Sequence, residues 1–409
     1  MAEVKLVVIV SVFVLVSVLP PFASCWRSSQ RKVSPLLVEE QIIWLAGGGQ
    51  GGMSSYRIPL LSRTPRGHLV AVCEARKYNS GDAGEKFLAI RRSEDKGMTW
   101  QPLGYVLDDG TYFDGIGLGS ILVDDETATM FIFYSHCPHF DKCTFSTTYV
   151  VNSTDDGKTW GQPVNITGMI GMHGREFETG PGFGIQAPFM IQKMKRFYRL
   201  GLEIRQQTTG NGLHFAFTMQ TCKPFQFLEK ASDDHGKTWA AGQALLSLPL
   251  TGRHKLGDFV PGESELVELP DGSIVINARN QYHYHCRCRI VFRSFDGGET
   301  FPLQHLYFDE TLVDSAVAAG LYYHDGVMFF SNPASDKSRE DMTLRWSYDN
   351  GTTWAGSYQV WPAAAAYSTL MMLHTDTEDS RFIYLLYEKG QKNAYSTISL
   401  AKISLYGEL

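Results

Sequence analysis

The chain has 409 residues, is 44% hydrophobic and carries a formal net charge of −6. That is enough apolar material for a large core, and a modest negative charge without a long basic run argues against a nucleic-acid partner. The 39 glycines are spread among turns rather than gathered in a tract, and no linker marks a second domain.

The N-terminus reads as an address. Lys5 precedes the apolar run 6–19, which Pro20-Pro21 ends ahead of the small residues Ala23 and Ser24. This is the pattern of a signal peptide over 1–25, leaving 26–409 as one domain, and it is too short for a comfortable membrane span. Secretion fits the sequons at Asn152, Asn165 and Asn350. Six cysteines follow the signal, and Cys137 and Cys143 flank a short polar loop that a disulfide could close.

Beyond the signal, short strands bounded by turn residues dominate, for example 68–73, 129–134 and 273–279. Through them runs one motif, Ser-x-Asp-x-Gly-x-Thr-Trp. It starts at Ser93, Ser153, Ser232, Ser294 and Ser347, the fourth copy ending in Phe301 instead of Trp. The starts lie 60, 79, 62 and 53 residues apart, room for four strands and their loops per unit. Such self-similarity predicts an all-β array of propeller blades. Each copy reads as a hairpin turn: Ser and Asp oxygens accept backbone N–H groups, Gly takes the left-handed position, and the aromatic residue anchors the turn. The boxes are structural and say nothing of chemistry.

Four polar residues sit where blade strands would face a common axis. Arg57 lies in Tyr56-Arg57-Ile58-Pro59 before the first box, and Arg279 ends the strand 273–279. Arg339 opens the strand to the last box, and Tyr367 follows the alanines 363–366. Spacing cannot bring these together, but a propeller can. For Arg279, an Arg at a strand's wet end is an equally good reading. His283-Tyr284-His285-Cys286-Arg287-Cys288 has the look of a metal site. On a strand, however, the histidines and cysteines would face opposite sides, so a buried or paired cysteine couple is expected rather than zinc.

The segment 187–231 breaks the pattern. It holds the longest interval, lacks clean strand alternation and gathers Lys193, Lys195, Arg196, Arg199 and Arg205. It is expected to be either a surface insertion or intronic sequence carried into the chain.

With these residues the chain resembles the Asp-box sialidases, and in particular their vertebrate lysosomal type. The likeness also rests on Glu74-Ala75-Arg76, Ile276-Asn277-Ala278-Arg279-Asn280-Gln281, Leu344-Arg345-Trp346-Ser347, Leu386-Tyr387-Glu388-Lys389-Gly390 and Tyr406-Gly407-Glu408-Leu409. It covers nearly all of the mature chain except 187–231. The resemblance implies a six-bladed β-propeller and an exo-α-sialidase that releases terminal sialic acid with retention. Glycoproteins and oligosaccharides are the implied substrates, gangliosides a further candidate, and no metal or organic cofactor is required. Arg57, Arg279 and Arg339 match the three arginines that grip the sugar carboxylate, with Arg345 left to packing. Asp82 matches the general acid/base, Tyr367 the nucleophile and Glu263 the glutamate that partners it. Asp114 is a candidate pocket residue, with a turn role as the alternative.

The residue types suit the chemistry. A planar guanidinium reads a carboxylate through two parallel hydrogen bonds and keeps its proton. A neutral phenol avoids the repulsion that a second carboxylate would meet from the substrate's own. The resemblance further implies a lysosomal lumenal address with possible lysosomal or cell-membrane association, and a protective carboxypeptidase (cathepsin A) and β-galactosidase as partners. The rival expectation is a glycan-binding or inactivated sialidase-like propeller without catalysis.

Overall fold

The computed structural model describes residues 31–48, 52–107, 114–136, 138, 146–170, 180–186, 213–218, 226–241, 245–250, 253–373 and 378–407. The signal segment, Cys137, Cys143 and Cys222 lie outside them. Among the described residues there is no α-helix, only strands and short 3-10 turns.

Among the described residues the strands form five sheets, antiparallel apart from one short parallel pair. The first sheet runs Ser55–Arg63, Leu69–Arg76, Lys86–Ser93 and Gly104–Leu107. The second holds Ile116–Asp124, Thr129–His136, Thr147–Ser153 and Val164–Asn165, with Gly182–Phe183 added in parallel. In the third, Ile185–Gln186, Leu213–Thr218, Gln226–Ser232 and Ala240–Ala241 follow one another. The fourth contains Pro261–Glu268, Ile274–Asn280, Cys288–Ser294 and Leu306–Val313. The last has seven strands, because Gly356–Met371 serves as the edge of one four-stranded half and the first strand of another. That second half continues through Phe382–Lys389 and Thr397–Ser404 and closes on Leu36–Leu45 from the other end of the chain.

The innermost strands of consecutive sheets are neighbours, with Gly182–Phe183 standing between the second sheet and the fourth. Ser55–Arg63 lies beside Ile116–Asp124, which lies beside Gly182–Phe183, then Pro261–Glu268, Gly320–His324 and Gly356–Met371, which returns to Ser55–Arg63. The approach at Gly182 is close enough that a Cβ there would come within 2.7 Å of the Ser264 carbonyl oxygen.

Packing explains why the strands are apolar on both faces. In Leu69–Arg76, Leu69, Ala71, Cys73 and Ala75 join a cluster with Trp44, Leu386 and Leu400 of the last sheet. The alternate residues Val70 and Val72 join Ile121, Met130 and Ile132 of the second. Each sheet is thus covered on two sides, and alternation of side chains sends every residue to one neighbour or the other.

All five boxes adopt one conformation between the third and fourth strands of a sheet. In the first, Gly97 N–H donates to Ser93 Oγ (2.8 Å), which donates to Asp95 Oδ1 (2.7 Å), which also accepts Thr99 N–H (2.8 Å). Ser153, Ser232, Ser294 and Ser347 repeat the arrangement. Each turn needs two successive left-handed residues, as at Lys96 (φ 59°) and Gly97 (φ 88°), and the second is always Gly. In the second box the Thr159 hydroxyl and N–H hold the Asp155 carboxyl down at about 2. The final half-sheet has no box for a topological reason. Its fourth strand is Leu36–Leu45, so no hairpin links third to fourth.

Within 187–231, residues 213–218 and 226–231 lie in paired strands, in register Leu213↔Ser232 through Thr218↔Phe227; the rest of that segment lies outside the described residues. The pair carries the third box, which like the others hangs from a strand that ends on its Ser. One expectation needs correction. Residues 281–287 form a turn and not a strand, with His283 and His285 at φ 55° and 60°. Face alternation therefore does not apply there. Cys286 and Cys288 are disulfide-bonded to each other.

Candidate active site

The start of the strand Ser55–Arg63 brings Arg57 inward, and that of Pro261–Glu268 brings Glu263. Arg279 comes from the next strand, Arg339 from the bend before Glu340–Ser347, and Tyr367 from Gly356–Met371. These five, spread over more than three hundred residues of sequence, meet in one place.

Tyr367 is at the centre. Its hydroxyl donates a short hydrogen bond to Glu263 Oε1 and accepts one from Arg279 Nη1 at 3.2 Å. The same Arg279 nitrogen donates to Glu263 Oε2 at 2.8 Å. Arg57 and Arg339 stand over the phenol ring, their Cζ atoms 5.3 and 5.7 Å from its centroid. Burial and the Glu263 carboxylate push the Tyr367 hydroxyl well above its ordinary range, so it holds its proton. Burial opposes the charge on Arg279, yet Glu263 and Tyr367 more than offset it and keep the guanidinium firmly protonated.

Behind this cluster lies Glu388, whose side chain is 0% exposed. Its Oε1 accepts Arg57 Nε (2.7 Å) and Ile58 N–H (2.9 Å), and its Oε2 accepts Tyr367 N–H (3.1 Å). One carboxylate thus fixes the arginine and the backbone of the tyrosine together. Arg57 also stacks on Tyr395, 3.9 Å from the ring centroid, while Arg339 donates to the Tyr395 hydroxyl (2.8 Å) and the Ala316 carbonyl (2.9 Å).

Asp82 is placed differently. It lies on the loop between Leu69–Arg76 and Lys86–Ser93, its side chain 77% exposed and ion-paired to Arg76 Nη1 at 2.9 Å. The loop is tied to the cluster because Arg76 and Arg57 both donate to the Ser80 carbonyl, at 2.5 and 3.4 Å. Arg76 is held in turn by Glu74, which Lys86, Arg76 and the Leu118 N–H keep down at about 2 despite complete burial. Asp114 accepts the Gly84 N–H at 2.8 Å, a tie across to the far end of the Asp82 loop. Arg345 donates to Asn332 Oδ1 at 3.2 Å within its own sheet, a packing contact. Asn152, Asn165 and Asn350 are all exposed.

Sequence reasoning gave no role to Glu388, Tyr395 or Arg76. Glu388 did carry a signal: it is the lone acid in the strand Phe382–Lys389, whose residues 382–387 carry no charge, and a buried arginine must find a counter-charge somewhere. A further buried pair was also missed. Arg289 (0% exposed) donates to Asp314 Oδ2 (3.3 Å), Asn277 Oδ1 (2.7 Å) and the Val317 carbonyl (2.8 Å). Asp314 also accepts the N–H groups of Asn280 and Ala316. The pair supports both Arg279's strand end and the carbonyl that Arg339 grips.

Fold and site together define an all-β Asp-box protein in which three arginines and a glutamate gather round a buried phenol. The chain belongs to the BNR (Asp-box) family: the BNR repeat-like domain matches residues 67–378. Its curated relatives are sialidases. That of Micromonospora viridifaciens is 30% identical over 90% of this chain and 54% of its own length, and that of Bacteroides fragilis 26% identical over 87% and 63%. The chain therefore spans about half to three-fifths of these relatives. Among solved structures the Hadza microbial sialidase Hz136 superposes with a TM-score of 0.70 at 23% identity, over 89% of this chain and 68% of that one, a likeness of fold that makes the sheets propeller-like.

Proposed function

We propose that the protein is an exo-α-sialidase that removes terminal sialic acid with retention from glycoproteins, oligosaccharides and gangliosides. The observation that carries the reading is the Tyr367 hydroxyl, bonded to Glu263 and surrounded by Arg57, Arg279 and Arg339. Three guanidinium groups around one phenol suit a sugar whose carboxylate sits on the reacting carbon. In this mechanism Glu263 takes the phenolic proton as Tyr367 Oη attacks that carbon, and Asp82 protonates the departing oxygen. Water, giving a proton to Asp82, then attacks the same carbon from the face the leaving group vacated, and the departing Tyr367 Oη recovers its proton from Glu263. The exposed Asp82 loop would have to close over the sugar for this, and its ties through Ser80 to Arg57 set it beside the right group.

The sheet arithmetic supports six blades. Four sheets give one each, and the two halves sharing Gly356–Met371 give two. The vertebrate lysosomal type, the lumenal address and the cathepsin A and β-galactosidase partners rest on the family resemblance. Co-localisation with lysosomal markers and co-purification from cultured cells test them. N-glycans at Asn152, Asn165 and Asn350 are tested by the mass lost on endoglycosidase digestion.

Hydrolysis of a fluorogenic sialoside at mildly acid pH tests the activity. Tyr367→Phe should lower kcat/KM at least about a thousandfold, as loss of a nucleophile does. Arg279→Ala should lower it by more than about a hundredfold through the lost carboxylate contact. A folded wild-type chain that binds a sialoside without cleaving it would refute the enzymatic reading and favour a glycan-binding propeller.

A further inference from the structure

The three arginines round Tyr367 are held by different kinds of partner. Arg57 gives its Nε to the Glu388 carboxylate (2.7 Å), and Arg279 gives its Nη1 to Glu263 (2.8 Å). Arg339 forms no ion pair among the described residues: its Nη1 donates to the Tyr395 hydroxyl (2.8 Å) and its Nη2 to the Ala316 carbonyl (2.9 Å). Of the neighbouring charges, Arg76 and Lys86 are matched by Glu74 and Asp82, and Arg289 by Asp314. Three guanidinium groups against two carboxylates leave the cluster with a surplus positive charge, and it resides on Arg339. That surplus suits a ligand bringing a single negative charge.

Tyr395 touches two of the three arginines. Its hydroxyl takes the hydrogen bond from Arg339, and its ring lies against Arg57, whose Cζ is 3.9 Å from the centroid. Stacking and a neutral hydroxyl fix a guanidinium without cancelling its charge, which a carboxylate in the same place would do. Arg57 comes from the first sheet and Arg339 from the bend before Glu340–Ser347, so no ladder of backbone hydrogen bonds sets their separation.

The loop 390–396 that carries Tyr395 is closed tightly on itself. A Cβ at Gly390 would come within 2.1 Å of the Asn393 carbonyl oxygen. Asn393 Oδ1 accepts the Tyr395 N–H (3.0 Å), and the Asn393 carbonyl accepts the Ser396 N–H and hydroxyl (3.2 and 2.8 Å). Trp361 Nε1 donates to the Gly390 carbonyl (3.2 Å), and Gly390 N–H to the Ala364 carbonyl (3.0 Å). Trp361 and Ala364 both belong to Gly356–Met371, the strand that bears Tyr367. The loop therefore fixes Tyr395, and through it two arginines, relative to the phenol at the centre of the site.

We propose that Tyr395 is a positioning residue for recognition of the sugar carboxylate: it sets Arg57 and Arg339 beside Tyr367 and leaves Arg339 its charge for an anionic ligand. The proposal rests on the sialidase reading and deepens it by giving a residue outside the three arginines a share in selectivity for the anion.

Tyr395→Phe removes the hydroxyl and keeps the ring, and Tyr395→Leu removes both; melting curves check that each folds, and the Phe variant decides alone if the Leu variant does not. With a fluorogenic sialoside, KM should rise about tenfold in the first and about a hundredfold in the second. The kcat should stay within about threefold of wild type, because a carboxylate contact is made before and during the reaction alike. Calorimetry then compares binding of the 2,3-dehydro derivative of sialic acid with that of its methyl ester, which lacks the charge. The preference for acid over ester should narrow about tenfold in Tyr395→Phe, whereas a purely structural role would weaken both alike. An unchanged KM, a loss confined to kcat, or an equal loss on acid and ester would each overturn the proposal and leave the sialidase reading intact. A wild type that prefers the acid but cleaves no sialoside would sink the sialidase reading, and a narrowed preference in Tyr395→Phe would then still uphold the proposal. A wild type that binds neither acid nor ester would sink both.

Discussion

Replacing Glu388 by alanine should be the most damaging single change outside the groups that would touch the sugar. The side chain is fully buried and accepts three hydrogen bonds, from Arg57 Nε and the N–H groups of Ile58 and Tyr367. Its removal leaves Arg57, itself 7% exposed, without its ion partner. Stranding one member of a buried pair costs about 3–5 kcal/mol. The two freed N–H groups would add to this unless water entered the space left behind. Unfolding entropy of about 2.1 cal/mol/K per residue, summed over the unit Val33–Leu409, is about 0.8 kcal/mol/K, so a loss of about 4 kcal/mol lowers Tm by about 5 °C. Glu388→Gln keeps the shape and loses the charge, and should fall between. Calorimetry gives the Tm. Sialoside kinetics should show KM raised about tenfold, because Arg57 would no longer be oriented toward the substrate carboxylate. A Tm within about one degree of wild type would refute the view that this carboxylate supports the site.

Three further outcomes follow from the same reasoning. Burial pushes the Glu265 carboxyl up to about 8 from an ordinary 4.5, so the folded chain keeps a proton that the unfolded chain sheds. Stability is then whole below about pH 4.5 and declines as pH rises toward about 8, and Glu265→Gln should flatten that decline in Tm measured across the interval. Asp155→Ala removes the acceptor for Ser153 Oγ, Thr159 N–H and Thr159 Oγ1 (2.8, 2.9 and 2.6 Å) in an exposed turn; it should cost about 1–2 kcal/mol in denaturant unfolding and leave activity alone. Arg289→Met strands the fully buried Asp314 at a cost of about 3–5 kcal/mol, and adding Asp314→Asn should recover part of the lost Tm, while an additive double variant would contradict the pairing.

The boxes were legible because everything they need is local: a hydroxyl, a carboxylate and a residue free to take positive φ, within eight positions. The active cluster was not legible in that sense. Nothing near Arg279 distinguishes it from a solvated strand end, and only likeness to a family selects Tyr367 from 19 tyrosines. Glu388 escaped because its role is a matter of burial and of partners on other strands, Arg57 and Ile58 at least 330 residues away. The strand reading of 281–287 failed differently. His283 and His285 take left-handed conformations that side chains rarely adopt, and no pattern in the sequence announces them. Within 187–231 weak alternation hid the paired strands 213–218 and 226–231, although the box that follows hangs from a strand like the others.

The missing sixth box and the buried Glu388 are two consequences of one topology. Because the last half-sheet borrows Leu36–Leu45 as its fourth strand, the hairpin that would have carried a box does not exist. The same closure sets the first sheet against the last, and only there can Arg57 meet Glu388. The strand that follows Leu36–Leu45 supplies the arginine, and the one paired with Thr397–Ser404 supplies the carboxylate. Geometry at the phenol therefore depends on the two ends of the chain being zipped together. Any change that loosens Leu36–Leu45 acts on Arg57 through packing, although that strand contributes no group to the pocket itself.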